Sequence, residues 1–447
     1  MSIEIIVCTI LSVSLLRPYL SKLPEKSKGE NEDTSDPYDG KISLREAVAY
    51  SGVAGTPVTF AEGIKNVSVG KTILIDGKTE ICHNDPINRV LIKGSGSFRV
   101  LENGSLTLRS LCFEPLQDAE VEHGCAVFVQ GGSVYADNCR FTGCNSTVSG
   151  GAVYAAGGTV RVRNSQFYMC AAPKAAAVYL ADNAKADMLN TTFFMSMRSA
   201  TVLENHGSRL NLVNSAVTNN QLVTDERCAM VSDGETNVIN SIIMSNSAEN
   251  DVSGTAHYFA VAYNTACDGV TYDRYCRSYQ PEELFCLNYL GWPAYDDLSF
   301  GVAPRLKEPA AQGCLVAAKD GTLRLSCDGM TYTDTGVTAV WTAEELSADC
   351  AGNKRGSIFG AYAKLFVPYR LGDANGDGTV NISDATLLRR YLAGYQVTDP
   401  ERVKLCGKIL HHGAFDGEIT INDATEIQRY LAEFETASPI GREIESH

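Results

Sequence analysis

The sequence predicts a mainly β chain: a parallel β-helix, or solenoid, followed by a small all-α module built on an oxygen-rich loop. Three observations carry this prediction. Short motifs recur every 24–26 residues through the middle of the 447-residue chain. They hold short strands and Gly/Asn turns, without helical periodicity. Beyond Arg370 the pattern changes to an oxygen-rich loop followed by a helical run, twice.

From the N-terminus, Ile5 to Leu16 is an apolar run of signal-peptide length, so residues 1–23 read as an export signal or its remnant. The run is too short for a membrane span, and no stable span is predicted. Residues 24–37 are polar and charged and read as a tether. A hydrophobic content of 44% with 20% charged residues is that of a globular chain. The net charge of −15 argues against a nucleic-acid partner and suits an extracellular protein that meets calcium. The fifteen cysteines include no Cys-x-x-Cys and no zinc-like spacing, so they read as small buried apolar residues and not as a disulfide framework.

Ser110, Asn138, Asn164, Asn190, Asn214 and Asn240 each stand three residues before an apolar one: Phe113, Phe141, Phe167, Phe193, Val217 and Ile243. A second strand recurs in the same frame as Ala126-Val127-Phe128, Ala152-Val153-Tyr154, Ala177-Val178-Tyr179 and Thr201-Val202-Leu203. Stacked coils place equivalent residues about 4.8 Å apart. The Asn column is therefore expected to form an amide ladder at a bend, and the Phe column an internal aromatic stack. Alternation alone leaves open whether Phe128, Tyr154 and Tyr179 point inward or form an outward platform for sugar rings.

Alignment on the Asn column predicts two outward rows. One reads Thr107, Tyr135, Arg161, Asp187, Asn211, Asn237; its neighbour reads Arg109, Asp137, Arg163, Leu189, Val213. Alternating signs favour a structural charge ladder over a catalytic cluster. Asp118, Glu120, Glu122 and His123 read as a solvated acidic loop. Glu283, Asp296 and Asp297 lack the spacing of a general-acid pair. No active site is legible, and catalytic residues stay unassigned.

Asp39-Gly-Lys-Ile-Ser43-Leu44-Arg45-Glu46-Ala47 resembles the signature opening a family of secreted bacterial right-handed β-helix proteins, related in pattern to chlamydial polymorphic outer-membrane proteins. Ile42 stands where that family usually has Cys. Gly150-Gly151-Ala152-Val153 and Asn164-x-x-Phe167 resemble its repeat motifs, and the stretch from Asp349 to Tyr362 its closing segment. The resemblance covers residues 38–367 and implies that Ser253 to Val367 ends the solenoid and is no separate catalytic domain. Solenoids of this class bind polysaccharide along an external face and some cleave it, which makes Tyr135, Tyr154, Arg161, Arg163 and Tyr179 candidate glycan contacts. A polysaccharide lyase or glycoside hydrolase and a non-catalytic adhesin or structural protein both remain open.

In the C-terminal module, Asp373, Asn375, Asp377, Asn381 and Asp384 occupy loop positions 1, 3, 5, 9 and 12. Gly378 is at 6, and Thr379 at 7 supplies its carbonyl. This spacing gathers a shell of hard oxygen ligands for Ca2+. The helix from Asp384 to Ala393 is repeated from Asp423 to Ala432, 39 residues on. Leu387, Leu388, Tyr391 and Leu392 predict one buried stripe, and Ile427, Tyr430 and Leu431 its mate. The second loop keeps Asp416 and Asp423 but has His412 and Ala414 at positions 1 and 3, which makes its calcium site weak or absent.

Tandem loop–helix units without the preceding helix of an EF-hand resemble a type I dockerin, here of ruminococcal type, over residues 371–434, with 435–447 as a tail. The resemblance implies a secreted, cellulosome-associated protein whose partners are a scaffoldin cohesin and plant cell-wall polysaccharide. It implies cohesin contacts at Ile382, Ser383, Arg389 and Arg390, with Ile421, Asn422, Gln428 and Arg429 as counterparts.

Overall fold

The computed structural model describes residues 3–5, 43–60, 63–115, 121–223, 228–247, 250–285, 295–298, 301–304, 306–307, 312–361, 365–366, 370–410, 418–442 and 444. The chain divides into two compact units. The first comprises Met1–Pro281, Tyr295–Ala303 and Gln312–Ala363, and the second Glu282–Ala294, Pro304–Ala311 and Lys364–His447.

The first unit is a right-handed parallel β-helix. Helix α1 (Leu44–Ala54) opens it and explains the Ser-Leu-Arg-Glu-Ala signature. Ser43 caps the helix by accepting from the Glu46 N–H, and the Glu46 carboxylate accepts from the Ser43 N–H. Leu44, Ala47 and Val48 enter the core, and Arg45 donates to the Thr72 and Lys71 carbonyls. Ile3–Ile5, at the edge of the run read as an export signal, pairs in parallel with Val58–Phe60. The rest of that run and the tether lie outside the described residues.

One coil shows the plan: Val127–Gln130 lies in a first sheet, Ser133–Asp137 in a second and Arg140–Thr142 in a third. Each pairs in parallel with its equivalents one coil on, at Val153–Ala156, Thr159–Arg163 and Gln166–Tyr168. Between the first and second sheets the turn is so tight that a Cβ on Gly158 (φ +75°) would come within 2.1 Å of the Gly132 carbonyl oxygen. The bend into the third sheet is one left-handed residue: Ser110, Asn138, Asn164, Asn190, Asn214 or Asn240, with φ between 46° and 55°. Asn tolerates this conformation better than other side-chain-bearing residues.

The core follows the expected columns. Phe113, Phe141, Phe167 and Phe193 are buried and stacked, with centroids 5.1, 4.7 and 4.7 Å apart. Each such pair adds about 0.5–1.5 kcal/mol beyond its burial. In the Asn ladder, Asn190 donates to Asn164 Oδ1 at 3.0 Å and Asn240 to Asn214 Oδ1 at 2.8 Å.

Among the described residues the stacked parallel coils run to Arg277–Ser278, and the stretch after them is less regular. Residues 312–361 turn back along the flank. They form an antiparallel sheet of Leu315–Lys319, Thr322–Ser326 and Thr333–Thr338, then helix α2 (Ala343–Ser347). The Asn ladder anchors this flap: the Cys314 N–H donates to Asn240 Oδ1 at 2.8 Å, and the amides of Asn240 and Asn190 reach the Ile358 and Ala348 carbonyls. Arg355, buried, donates to Asn190 Oδ1 and to the Ala361 and Ile358 carbonyls. The flap carries a disulfide, Cys314–Cys327. Of the free cysteines among the described residues, all but Cys82, Cys112 and Cys276 are buried, as the apolar reading expects.

In the second unit, helices α3 (Ile382–Leu392), α4 (Pro400–Gly407) and α5 (Ile421–Leu431) surround a core of Leu371, Ala385, Leu388, Val403, Ile409, Ala424 and Ile427. Only part of the expected stripe is buried. Leu388 and Ile427 face the core and Leu387 and Tyr391 flank it, whereas Leu392, Tyr430 and Leu431, in the last turns of their helices, are exposed. Of the segment read as a tail, residues 435–442 close the domain. Ile440 is buried, and the backbone pairs Gly441 with Leu371 and Leu371 with Arg442.

Candidate functional site

The loop before α3 is built so that its acidic ends are desolvated. Asp373 and Asp384 are fully buried, while Asp377 is exposed. Asp373 accepts from the Gly376 and Gly378 N–H groups, and Asp384 from those of Asn375 and Asn381. Burial raises the Asp373 and Asp384 carboxyls above the usual range, and for Asp384 the charges of Asp373 and Asp377 add to the effect. The Thr379 hydroxyl, followed by its N–H and the Asn375 and Asn381 amides, holds Asp377 down at about 2. Among the described residues, no three Asp, Glu, His or Cys side chains already gather as a metal cage. The donor set nonetheless fits calcium in kind: hard oxygens on one short loop, with two buried carboxylates whose like charges a divalent cation would offset.

In the second repeat Asp416 lies outside the described residues. Asp423 accepts from the Ile409 and Leu410 N–H groups at 2.8 Å each and from the Thr420 N–H at 2.7 Å. The Thr420 hydroxyl donates to it as well, at 2.9 Å, so Asp423 ties Ile409, Leu410 and Thr420 to the start of α5.

The eight residues assigned to cohesin contact lie at two ends of a helix pair. Ile382, Ser383, Ile421 and Asn422 are exposed at the N-terminal turns of α3 and α5. Arg389, Arg390 and Arg429 are exposed near the C-termini, where Arg389 donates to Gln428 Oε1 at 2.7 Å.

The structure separates the five candidate glycan residues. Tyr135, Arg161 and Arg163 lie on the second sheet, in the two rows aligned from the sequence. Arg163 is held between Asp137 and Glu345, and its pKa rises because these contacts outweigh the cost of burial. Burial and then the Asp137 charge push the Tyr135 phenol up to about 12, with the Arg109 guanidinium 5.3 Å from its ring centre. Arg161 is exposed.

Tyr154 and Tyr179 stand on the first sheet and point outward, since Val153, Ala155, Val178 and Leu180 beside them are buried. Their rings stack at 5.2 Å with 4° between planes, and Phe128 meets Tyr154 edge-on at 5.0 Å. The far face of Tyr179 meets His206 at 5.1 Å. His206 Nε2 lies 2.9 Å from Glu204 Oε2 and Nδ1 3.1 Å from Asp233 Oδ2. Burial works against its charge, but Glu204 and Asp233 outweigh that and raise the imidazole pKa. Sequence reasoning missed this clamp, although the separation of His206 and Asp233 by about one coil was available as a signal. Of the acidic loop, Asp118 and Glu120 lie outside the described residues; His123 hydrogen-bonds Ser149 and packs 4.5 Å from Tyr154.

Fold and loop together define a β-solenoid joined to a calcium-loop helical module. Residues 89–266 match the family model described as right handed beta helix region, and residues 371–405 match dockerin type I domain. No curated protein and no solved structure matches the chain. The chain thus carries a β-helix region and a type I dockerin domain, a module that generally binds calcium and implies a cohesin partner. Among the described residues no helix is long and apolar enough to cross a membrane.

Proposed function

We propose that this protein is an extracellular cellulosomal subunit. Its dockerin binds a scaffoldin cohesin in a calcium-dependent way, and its β-helix engages plant cell-wall polysaccharide. The dockerin match over a loop bearing Asp373, Asn375, Asp377, the Thr379 carbonyl, Asn381 and Asp384 carries the docking half. These residues hold the ion, which fixes the entry of α3 and the surface formed by Ile382, Ser383, Arg389 and Arg390. The dockerin is of ruminococcal type and the β-helix of the Ser-Leu-Arg-Glu-Ala subtype. Titration of the full chain against type I cohesins, with calcium and with EDTA, tests docking.

The outward column of Phe128, Tyr154 and Tyr179 supports glycan engagement by the solenoid. A second reading, a non-catalytic surface or adhesive β-helix, is favoured by the way those rings occupy one another's faces and by the pairing of Arg163 with Asp137 and Glu345. Release of reducing ends or unsaturated uronides from pectin, xylan or glucan would decide for catalysis. Binding without turnover would decide for the second reading.

A further inference from the structure

We infer that the Phe128–Tyr154–Tyr179 column binds an uncharged, extended β-1,4-linked polysaccharide lying along the solenoid axis, one sugar unit per coil. The inference rests on the glycan-engaging reading above and specifies its ligand.

Phe128, Tyr154 and Tyr179 pair in register in successive coils, with ring centres 5.0 and 5.2 Å apart. That step is close to the length of one pyranose unit in an extended β-1,4-linked chain. A chain laid along the axis therefore meets one ring of the column at each sugar.

Tyr154 and Tyr179 cover one face of each other, and His123 at 4.5 Å from Tyr154 and His206 at 5.1 Å from Tyr179 also pack on the column, so sugars meet ring edges and phenol oxygens. Both tyrosines are half-buried, and neither phenol hydrogen-bonds to another described residue. Two outward hydroxyls one coil apart can each donate to and accept from a sugar hydroxyl.

Asp182 lies near both tyrosines, and Glu204 and Asp233 near Tyr179; with burial as the larger cause, they raise the phenol pKa values. The cations at the two ends are engaged. Arg99 lies over Phe128 at 4.8 Å and donates to Gln130, and both nitrogens of His206 face carboxylates. A polyuronate would bring further negative charge to this surface, whereas a neutral chain would not.

Native affinity electrophoresis of the full chain through gels containing glucomannan, xylan or polygalacturonate tests the inference. At least one neutral gel should retard the protein and polygalacturonate should not. Tyr154→Phe/Tyr179→Phe, which keeps the ring stack, should weaken that retardation about tenfold through loss of the hydroxyl contacts. Preference for polygalacturonate would overturn the uncharged ligand and leave glycan engagement standing. Neutral binding indifferent to the double substitution would overturn the column as the site. Absence of retardation in every gel would overturn both this inference and the reading on which it rests.

Discussion

Asn240 donates its side-chain amide to Asn214 Oδ1 at 2.8 Å, and both residues hold a left-handed backbone, with φ of 46° and 47°. The pair therefore bends the coil and links it to its neighbour. Asn240 also accepts from the Cys314 N–H and donates to the Ile358 carbonyl, so the ladder that shapes the solenoid is the edge on which the flap docks.

Replacement of Asn240 by Ala should lower stability by about 2–4 kcal/mol, combining left-handed strain with buried hydrogen-bond partners left unmet. Asn240→Gly should recover the backbone part only. Urea unfolding of the three proteins measures both, and equal losses for Ala and Gly would show that conformational strain plays no part.

Arg355 is the flap's buried anchor. Arg355→Met should make residues 312–361 cleavable in limited proteolysis while the far-ultraviolet dichroism of the solenoid persists. Unchanged resistance would mean that the remaining contacts hold the flap without it.

Near the end of the solenoid, burial raises the Asp251 carboxyl to about 6, against the hydrogen bonds it accepts from the Asn264 and Thr265 N–H groups. The folded state holds this proton more tightly than the unfolded state. The contribution is therefore complete below the ordinary carboxylate pKa of about 4 and is lost as pH rises through 6. Asp251→Asn, which still offers an oxygen acceptor, should stabilise the protein by roughly 2–3 kcal/mol above pH 6 and by little at pH 4. Thermal unfolding across that range would contradict this if the gain were the same at both ends.

Calcium titration should give a stoichiometry nearer one than two. Asp373→Ala should abolish high-affinity binding. Asp423→Ala should spare it but lower the melting temperature by several degrees, because the backbone N–H groups of Ile409, Leu410 and Thr420 lose their acceptor. Two tight sites would show that the second loop is intact in function.

Much of this was legible because the coil length is nearly constant. Once the Asn column is aligned, the partners of Tyr135 and Asp137 follow by addition, and the charge ladder of Arg109, Asp137 and Arg163 appears as read. The direction of Tyr154 and Tyr179 was not legible, because both parities of Val153-Tyr154-Ala155 give an acceptable inward face. The docking of the flap was equally hidden: Arg355 and Asn190 stand 165 residues apart with no shared period. Helix α4 was missed although its signal was present, with Asp399 capping a helix that begins at Pro400.

The most direct test of the account is calorimetric titration of the full chain with type I cohesins in calcium and in EDTA. Saturable binding to at least one cohesin is expected in calcium, lost in EDTA and in Asp373→Ala and regained when calcium is restored to the wild type. Cohesin affinity unchanged by EDTA would contradict it.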